Sequence, residues 1–357
     1  GILSSIHAFS SGPVGTVFLA FLAFILISSF GLLAYRADKL KGRPELDSMV
    51  SRESAFLLNN VVLVSALFTI FLGTIFPLIS EAVAGVQVSV GGPYFNSVTV
   101  PLFLLLVFLM GVGPMIAWRK ASWDNLKRNF LWPAVAALMI ALFLFIWWIR
   151  DFLPLLGFTL SAFVVFSILF DTALAVRARC RIAGEWIGSA LVTLARRNQR
   201  RYGGLVVHLG IVLIVLGIAG SMSYSIERQA TLSQGETLVV GRYKIRFEGL
   251  SGSPQPTHFR VEGAFRLFNN GDEVGVFFPT LKFFPTQQSP IGRAVFRSSF
   301  TEDLYLILSG FSELQQNRAT LKVLVRPLVA WIWLGGLVIA LGTLVAIWPF
   351  KQSAVSE

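Results

Sequence analysis

Seven stretches of the chain are apolar enough and long enough to cross a bilayer, at residues 14–35, 55–79, 99–118, 130–149, 155–176, 200–221 and 327–348. Each is close to the roughly 20 residues a helix needs to span a hydrocarbon core. The uncharged opening at 1–9 reads as the exit of an earlier span. Residues 80–98, which carry Val90-Gly91-Gly92-Pro93-Tyr94-Phe95-Asn96, read as a loop between spans. The fourth and fifth stretches flank Arg150-Asp151 and form a helical hairpin. Between 177 and 203 the chain is a basic loop, whose middle at 185–194 is predicted to lie as a helix in the membrane interface.

From residue 223 to 325 the period of the pattern changes. Tyr243, Ile245 and Phe247 alternate with Lys244, Arg246 and Glu248, and Leu321, Val323 and Val325 alternate with Thr320, Lys322 and Leu324. Alternation with period two is the mark of a half-buried strand. Asn269-Asn270-Gly271-Asp272 sits between two such runs as a hairpin turn. About 100 residues suffice to close a small β-sandwich or barrel. The expected fold is an all-α polytopic membrane protein of seven spans, with a small all-β exterior domain inserted before the last span. Residues 1–222 form the bundle with six spans, 223–325 the β-rich domain, and 326–357 the last span and tail.

Composition agrees with this division: 55% of residues are hydrophobic and 14% charged, with a mean hydropathy of +0.70. Such values describe a polytopic membrane protein with no room for a long soluble catalytic domain. The net charge of +11 would fit nucleic acid, but the basic residues occupy short loops on alternating sides of the spans. They are Arg36 to Arg52, then Arg119, Lys120, Lys127 and Arg128, then the arginines of 177–203, then Lys351; the opposite short segments hold Arg150. Basic loops stay on the cytoplasmic side. The C-terminus is therefore expected in the cytoplasm, with His7 and the β-rich insert outside and no nucleic acid as partner. The single cysteine, Cys180, excludes a CxxC dithiol and a covalent CxxCH haem site in this chain.

One histidine stands deep inside a span. His208 follows Arg200-Arg201-Tyr202-Gly203-Gly204-Leu205-Val206-Val207 and lies roughly 10 Å beyond Arg201 along a helix. Three readings compete: a core histidine hydrogen-bonded to a neighbouring helix, a proton or quinol relay, and an axial haem ligand. Gly203, Gly210 and Gly217 recur every seven residues on the face roughly opposite and read as close helix packing. Gly204 shares the face of His208, where it would leave room for a flat macrocycle. His258, after Pro256-Thr257, reads as a solvated loop residue. Taken alone, His7 is either an interfacial polar residue or a ligand.

Several motifs occur together in order: Ser5-Ile6-His7-Ala8-Phe9-Ser10, the Val90 to Asn96 segment, the Arg201 to Gly210 entrance, Glu302-Asp303-Leu304-Tyr305, and Arg326-Pro327 with Trp331-Ile332-Trp333-Leu334-Gly335-Gly336. In that order they resemble the CcmF family of cytochrome c maturation haem lyases along essentially the whole chain. The resemblance implies a multi-pass protein of the bacterial inner membrane whose β domain faces the periplasm. It implies that His7 is an axial ligand of a haem held transiently in the periplasm, and that His208 is an axial ligand of an intramembrane haem b. Haem iron is thus the metal at both histidines, quinol is the candidate electron source, and no residue of this chain is assigned a catalytic role. The implied partners are a periplasmic haem chaperone, apocytochrome c with its CxxCH cysteines, a thiol-reducing maturation subunit, and an N-terminal half of the lyase. That half would carry the family's Trp-rich segment and the two partner histidines, because Trp147-Trp148 lacks the surrounding pattern. The chain is accordingly expected to be a fragment, or the C-terminal subunit of a lyase in two polypeptides. Ser289-Pro290-Ile291-Gly292-Arg293 departs from the family's Thr-Glu pattern in the exterior domain. The alternative is a transporter with His208 on a proton or substrate path, although no inverted repeat or pair of broken helices is visible.

Overall fold

In lipid every backbone N–H and C=O must be satisfied within its own segment, so long apolar runs become helices. The computed structural model describes residues 13–40, 48–86, 88–116, 121–285, 289–312 and 317–348. Among them are α1 (Pro13–Tyr35), α2 (Ala37–Leu40), α3 (Arg52–Ala84), α4 (Gly92–Val112), α5 (Trp123–Trp147), α6 (Phe152–Ala183), α7 (Ile187–Arg197), α8 (Gln199–Ser223) and α9 (Val329–Ile347). All but α2 and α7 are long and apolar enough to cross a membrane, which gives the seven spans. Two compact units divide inside α5, one reaching to Trp132 and the other beginning at Pro133.

In the first unit the helices run further than their apolar cores. Ser51 caps α3 by accepting from the Ser54 amide, and Arg52 donates to the carbonyls of Gly113 and Pro114 at 3.2 and 2.6 Å, beyond the end of α4. The segment read as a loop is corrected here. With Gly91 as N-cap and Pro93 in the first turn, Pro93-Tyr94-Phe95-Asn96 is helical and opens α4. A proline there forgoes only an amide that has no helical acceptor. Tyr94 and Phe95 pack over Gly73 of α3, where an added Cβ would come within 2.7 Å of both rings.

In the second unit the basic loop of 177–203 is also largely helical. Arg177, Arg179 and Arg181 sit on the last turns of α6, Gly184 turns the chain with φ of 66°, and α7 follows as an amphipathic helix with Arg196 and Arg197 at its end. The left-handed turn favours glycine because a Cβ would clash there.

Between α8 and α9 the described residues form ten strands: β1 (Ile226–Ser233), β2 (Thr237–Val240), β3 (Tyr243–Pro254), β4 (Phe259–Asn269), β5 (Asp272–Phe277), β6 (Thr280–Phe283), β7 (Ile291–Arg293), β8 (Val295–Ser298), β9 (Glu302–Phe311) and β10 (Arg318–Pro327). They build a sandwich of two antiparallel sheets, β1-β10-β9-β8 and β2-β3-β4-β6-β7, with β5 paired to β4. The predicted turn joins β4 to β5 with positive φ at Asn270 and Gly271, as a two-residue hairpin requires. Inward residues of alternate registers make the core. Ile245, Phe247, Phe265 and Leu267 from one sheet and Leu304, Leu306, Leu321 and Val323 from the other are 0–1% exposed. Phe247 and Phe265 meet with ring centroids 5.1 Å apart. Outside, Arg266 bridges Glu248 and Glu273, and its hydrogen bond holds the Glu248 carboxyl below the usual carboxylate range.

This contrast between core and surface is testable. Phe265→Ala should destabilise the β domain by about 3–5 kcal/mol, whereas Arg266→Ala should leave it nearly unchanged, because an ion pair at the water-facing surface is screened. Thermal unfolding followed by near-ultraviolet circular dichroism reads both, and equal shifts would refute this account of the core.

Candidate functional site

The central element is α8, which starts at a basic surface and ends where the β domain begins. At its entrance Nη2 of Arg201 donates to both Asp171 oxygens of α6, at 2.8 and 2.6 Å. On one face, Gly203, Gly210 and Gly217 let α9 approach to backbone contact. A Cβ at Gly210 would lie 2.7 Å from the Gly335 carbonyl, and one at Gly203 would lie 2.7 Å from that of Gly342. Gly335 and Gly342 are themselves seven residues apart, so two glycine stripes interlock. The packing reading of the stripe therefore holds.

The opposite face carries His208. Its residue is half-buried, and its Nδ1 is buried with no hydrogen-bond partner among the described residues. The bland alternative, a histidine satisfied by a neighbouring helix, thus has no partner at that nitrogen. One turn earlier on the same face, a Cβ at Gly204 would meet nothing within 4 Å. The same helix is therefore closed at Gly203 and open at Gly204.

Depth along α6 can be matched through the Arg201–Asp171 pair. Two turns from each residue, about 10 Å into the helices, lie His208 on α8 and Val164 on α6, and Val164 is fully buried. Ser161 and Ser167, three residues to either side, are each 1% exposed and their hydroxyls also lack partners among the described residues. Sequence reading passed over these serines. Small polar residues in an apolar span were the available signal.

The other candidates separate from this site. His7 lies outside the described residues. His258 stacks on Phe284 with centroids 4.9 Å apart and its Nδ1 lies 3.1 Å from the Thr257 hydroxyl, which suits a loop residue. No group of three or more His, Cys, Asp and Glu that could hold a metal ion occurs among the described residues. Glu302-Asp303-Leu304-Tyr305 opens β9, where Tyr305 donates to Asp303 at 3.2 Å and Glu302 pairs with Arg242 at 2.7 Å. The neighbouring Thr301 carbonyl accepts from the Leu328 amide at 2.9 Å, and the Phe300 carbonyl accepts from the Trp331 indole at 3.1 Å. Phe300 and Thr301, just before that motif, therefore anchor the sandwich to the start of α9.

The α8 face holds a buried imidazole that is only partly satisfied. A neutral imidazole carries one donor and one acceptor, and burying either without a partner is costly. An unpartnered nitrogen beside an open strip of helix suits a flat group bound through a metal. The unpartnered Nδ1 and the open space at Gly204 are compatible with such a group, a haem included.

Known proteins share the sandwich and the helical fold around it. Residues 223–327 match the family described as the CcmF C-terminal beta-sandwich. The chain is 34% identical over 346 residues to the cytochrome c-type biogenesis protein CcmF of Pseudomonas aeruginosa, covering 96% of the chain and 50% of that protein. With CcmF of Haemophilus influenzae it shares 29% identity over 348 residues, covering 96% and 52%. Its fold is similar to a solved structure of cytochrome c haem lyase CcmF, with a TM-score of 0.74 and 28% identity over 95% of this chain and 51% of that one. The chain thus spans about half the length of the relatives it matches. In helices, sandwich and sequence this multi-pass membrane protein corresponds to the C-terminal portion of the CcmF proteins.

Proposed function

We propose that the chain forms part of a haem lyase that attaches haem through thioether bonds to the CxxCH cysteines of apocytochrome c. The carrying observation is the unpartnered Nδ1 of His208 beside the gap at Gly204. A haem b bound there would supply a one-electron carrier, with quinol as the candidate reductant. His208 would hold that haem through its imidazole. Arg201 and Asp171 close the entrance, and the apolar surroundings exclude water.

The excess of basic residues on one side of the spans supports a cytoplasmic C-terminus and a periplasmic β domain, here taken as 223–325. In the periplasm His7 would be an axial ligand of the substrate haem, received from a haem chaperone. Thioether formation adds a cysteine S–H across a vinyl group, so that S–C and C–H bonds form with no net oxidation. It requires free thiols, hence a thiol-reducing partner, and ferrous haem, hence the membrane electron path. The chain's own contribution is to position the reactants.

Two measurements test this reading. The chain purified with the remainder of the lyase should show a low-spin, bis-histidine b-type spectrum; a colourless protein would favour a transporter with His208 on a proton path. His7→Ala should abolish maturation of a c-type cytochrome while leaving the intramembrane haem in place. Undiminished maturation in that variant would remove His7 from the mechanism.

A further inference from the structure

The cationic end of α6 is unevenly neutralised. Arg179 donates to both oxygens of Glu185, at 2.8 and 2.6 Å, and these bonds hold the Glu185 carboxyl below its usual range. Arg177 and Arg181, one turn apart on another face, have no ion-pair partner among the described residues. Both line a cleft of about 750 Å³ between the last turns of α6 and α7. That volume lies within the range of small-molecule sites. The cleft walls are apolar, with Leu169 and Val176 from α6 and Ile187 and Leu191 from α7. Leu169, Ile187 and Leu191 are 54%, 64% and 41% exposed, so the chain leaves these walls open.

Position decides what such a cleft can hold. α6 spans the membrane, and α7 is an amphipathic helix that follows the turn at Gly184, with Trp186 at its start 75% exposed. Tryptophan and amphipathic helices gather at the membrane surface. The cleft runs from guanidinium groups at that surface toward apolar side chains deeper along α6, which is the polarity gradient of a phospholipid. An apolar helix laid over it would bury two unpaired guanidinium groups at high cost. A soluble anion would leave the apolar walls uncovered.

We propose that this cleft seats one phospholipid with an anionic headgroup. Arg177 and Arg181 take the phosphate, and an acyl chain lies along Leu169, Val176, Ile187 and Leu191. Basic pockets between membrane helices at the cytoplasmic surface bind anionic headgroups on the same physical basis. The site is separate from His208 and does not depend on haem at α8.

The experiment uses the protein purified with the remainder of the lyase, in detergent and depleted of lipid. It is titrated with phosphatidylglycerol or phosphatidylcholine of identical acyl chains, and bound lipid is read by native mass spectrometry. Phosphatidylglycerol should bind about tenfold to thirtyfold more tightly, the size two basic residues near a membrane surface supply. The preference should fall to near parity in Arg177→Gln/Arg181→Gln and persist in Lys127→Gln/Arg128→Gln. Leu191→Trp, which fills the apolar wall and keeps both arginines, should weaken phosphatidylglycerol binding at least severalfold. Helical content by circular dichroism confirms that each variant is folded. Equal affinity for the two lipids, a preference that survives the Arg177/Arg181 change, or full binding in Leu191→Trp would each overturn the proposal; the last would mean that the arginines hold a bare anion or that protein closes the cleft.

Discussion

His208→Ala is expected to strip the intramembrane haem b while leaving the protein inserted and folded. The substitution removes a nitrogen that has no partner among the described residues, so no hydrogen bond is lost with it. An alanine in its place leaves α8 apolar and relieves the membrane of an ionisable group. The haem, by contrast, would lose an iron ligand. Removing even an outer partner of a metal ligand costs 10- to 100-fold in affinity, so loss of the ligand itself should exceed about 100-fold. His208→Met should keep part of the signal with a changed potential, because thioether sulfur also ligates haem iron. The b-type absorbance of purified protein, normalised to protein, is the measurement. A His208→Ala variant with the haem content of the wild type would end the assignment.

Gly210→Leu should do the reverse, damaging the fold first and haem only through it. The α8 and α9 backbones meet where a Cβ would stand 2.7 Å from the Gly335 carbonyl and 2.8 Å from the Ile339 amide nitrogen. These are backbone atoms, and they cannot swing aside. Membrane helices gain little from burying apolar side chains against each other, so close backbone approach through small residues carries much of the association. Forcing a leucine into this seam should cost about 3 kcal/mol or more, at the upper end of overpacking. The matched control is Gly204→Leu, on the open face. It should leave stability near that of the wild type but displace the haem. Unfolding midpoints and haem content measured on the two variants separate the roles, and an unchanged midpoint in Gly210→Leu would contradict the seam.

Much of this was legible in the sequence for simple reasons. Spans announce themselves because hydrocarbon tolerates few charges, and the sandwich strands do so because one face is buried, as Tyr243, Ile245 and Phe247 show. Helix ends were less legible. Arg177, Arg179 and Arg181 looked like loop because hydropathy registers lipid exposure, and a helix can leave the membrane without ceasing to be helical. Pro93-Tyr94-Phe95-Asn96 looked like a turn because proline and asparagine favour turns, although proline also opens helices. The face of His208 could be read from seven-residue spacing. The match between the α8 stripe and Gly335 and Gly342, and the depth shared with Ser161 and Ser167, depend on which helices pack together, and a single chain's periodicity does not specify that.

The way the sandwich is stitched to its two helices has a consequence for assembly. α8 and α9 are separated by the whole β domain, so in an unfolded chain their meeting carries the entropy of closing a loop of roughly 100 residues. β1 pairs with β10 along its length, from Ile226 opposite Val325 to Ser233 opposite Arg318, and Ile226 and Val325 stand only a few residues from the ends of the two helices. Once the sheet forms, the distant partners become neighbours and the glycine seam can zip from the β domain inward. The domain outside the helices therefore acts as the clasp of the helix pair, and a lesion in its core should appear as separated helices within the membrane.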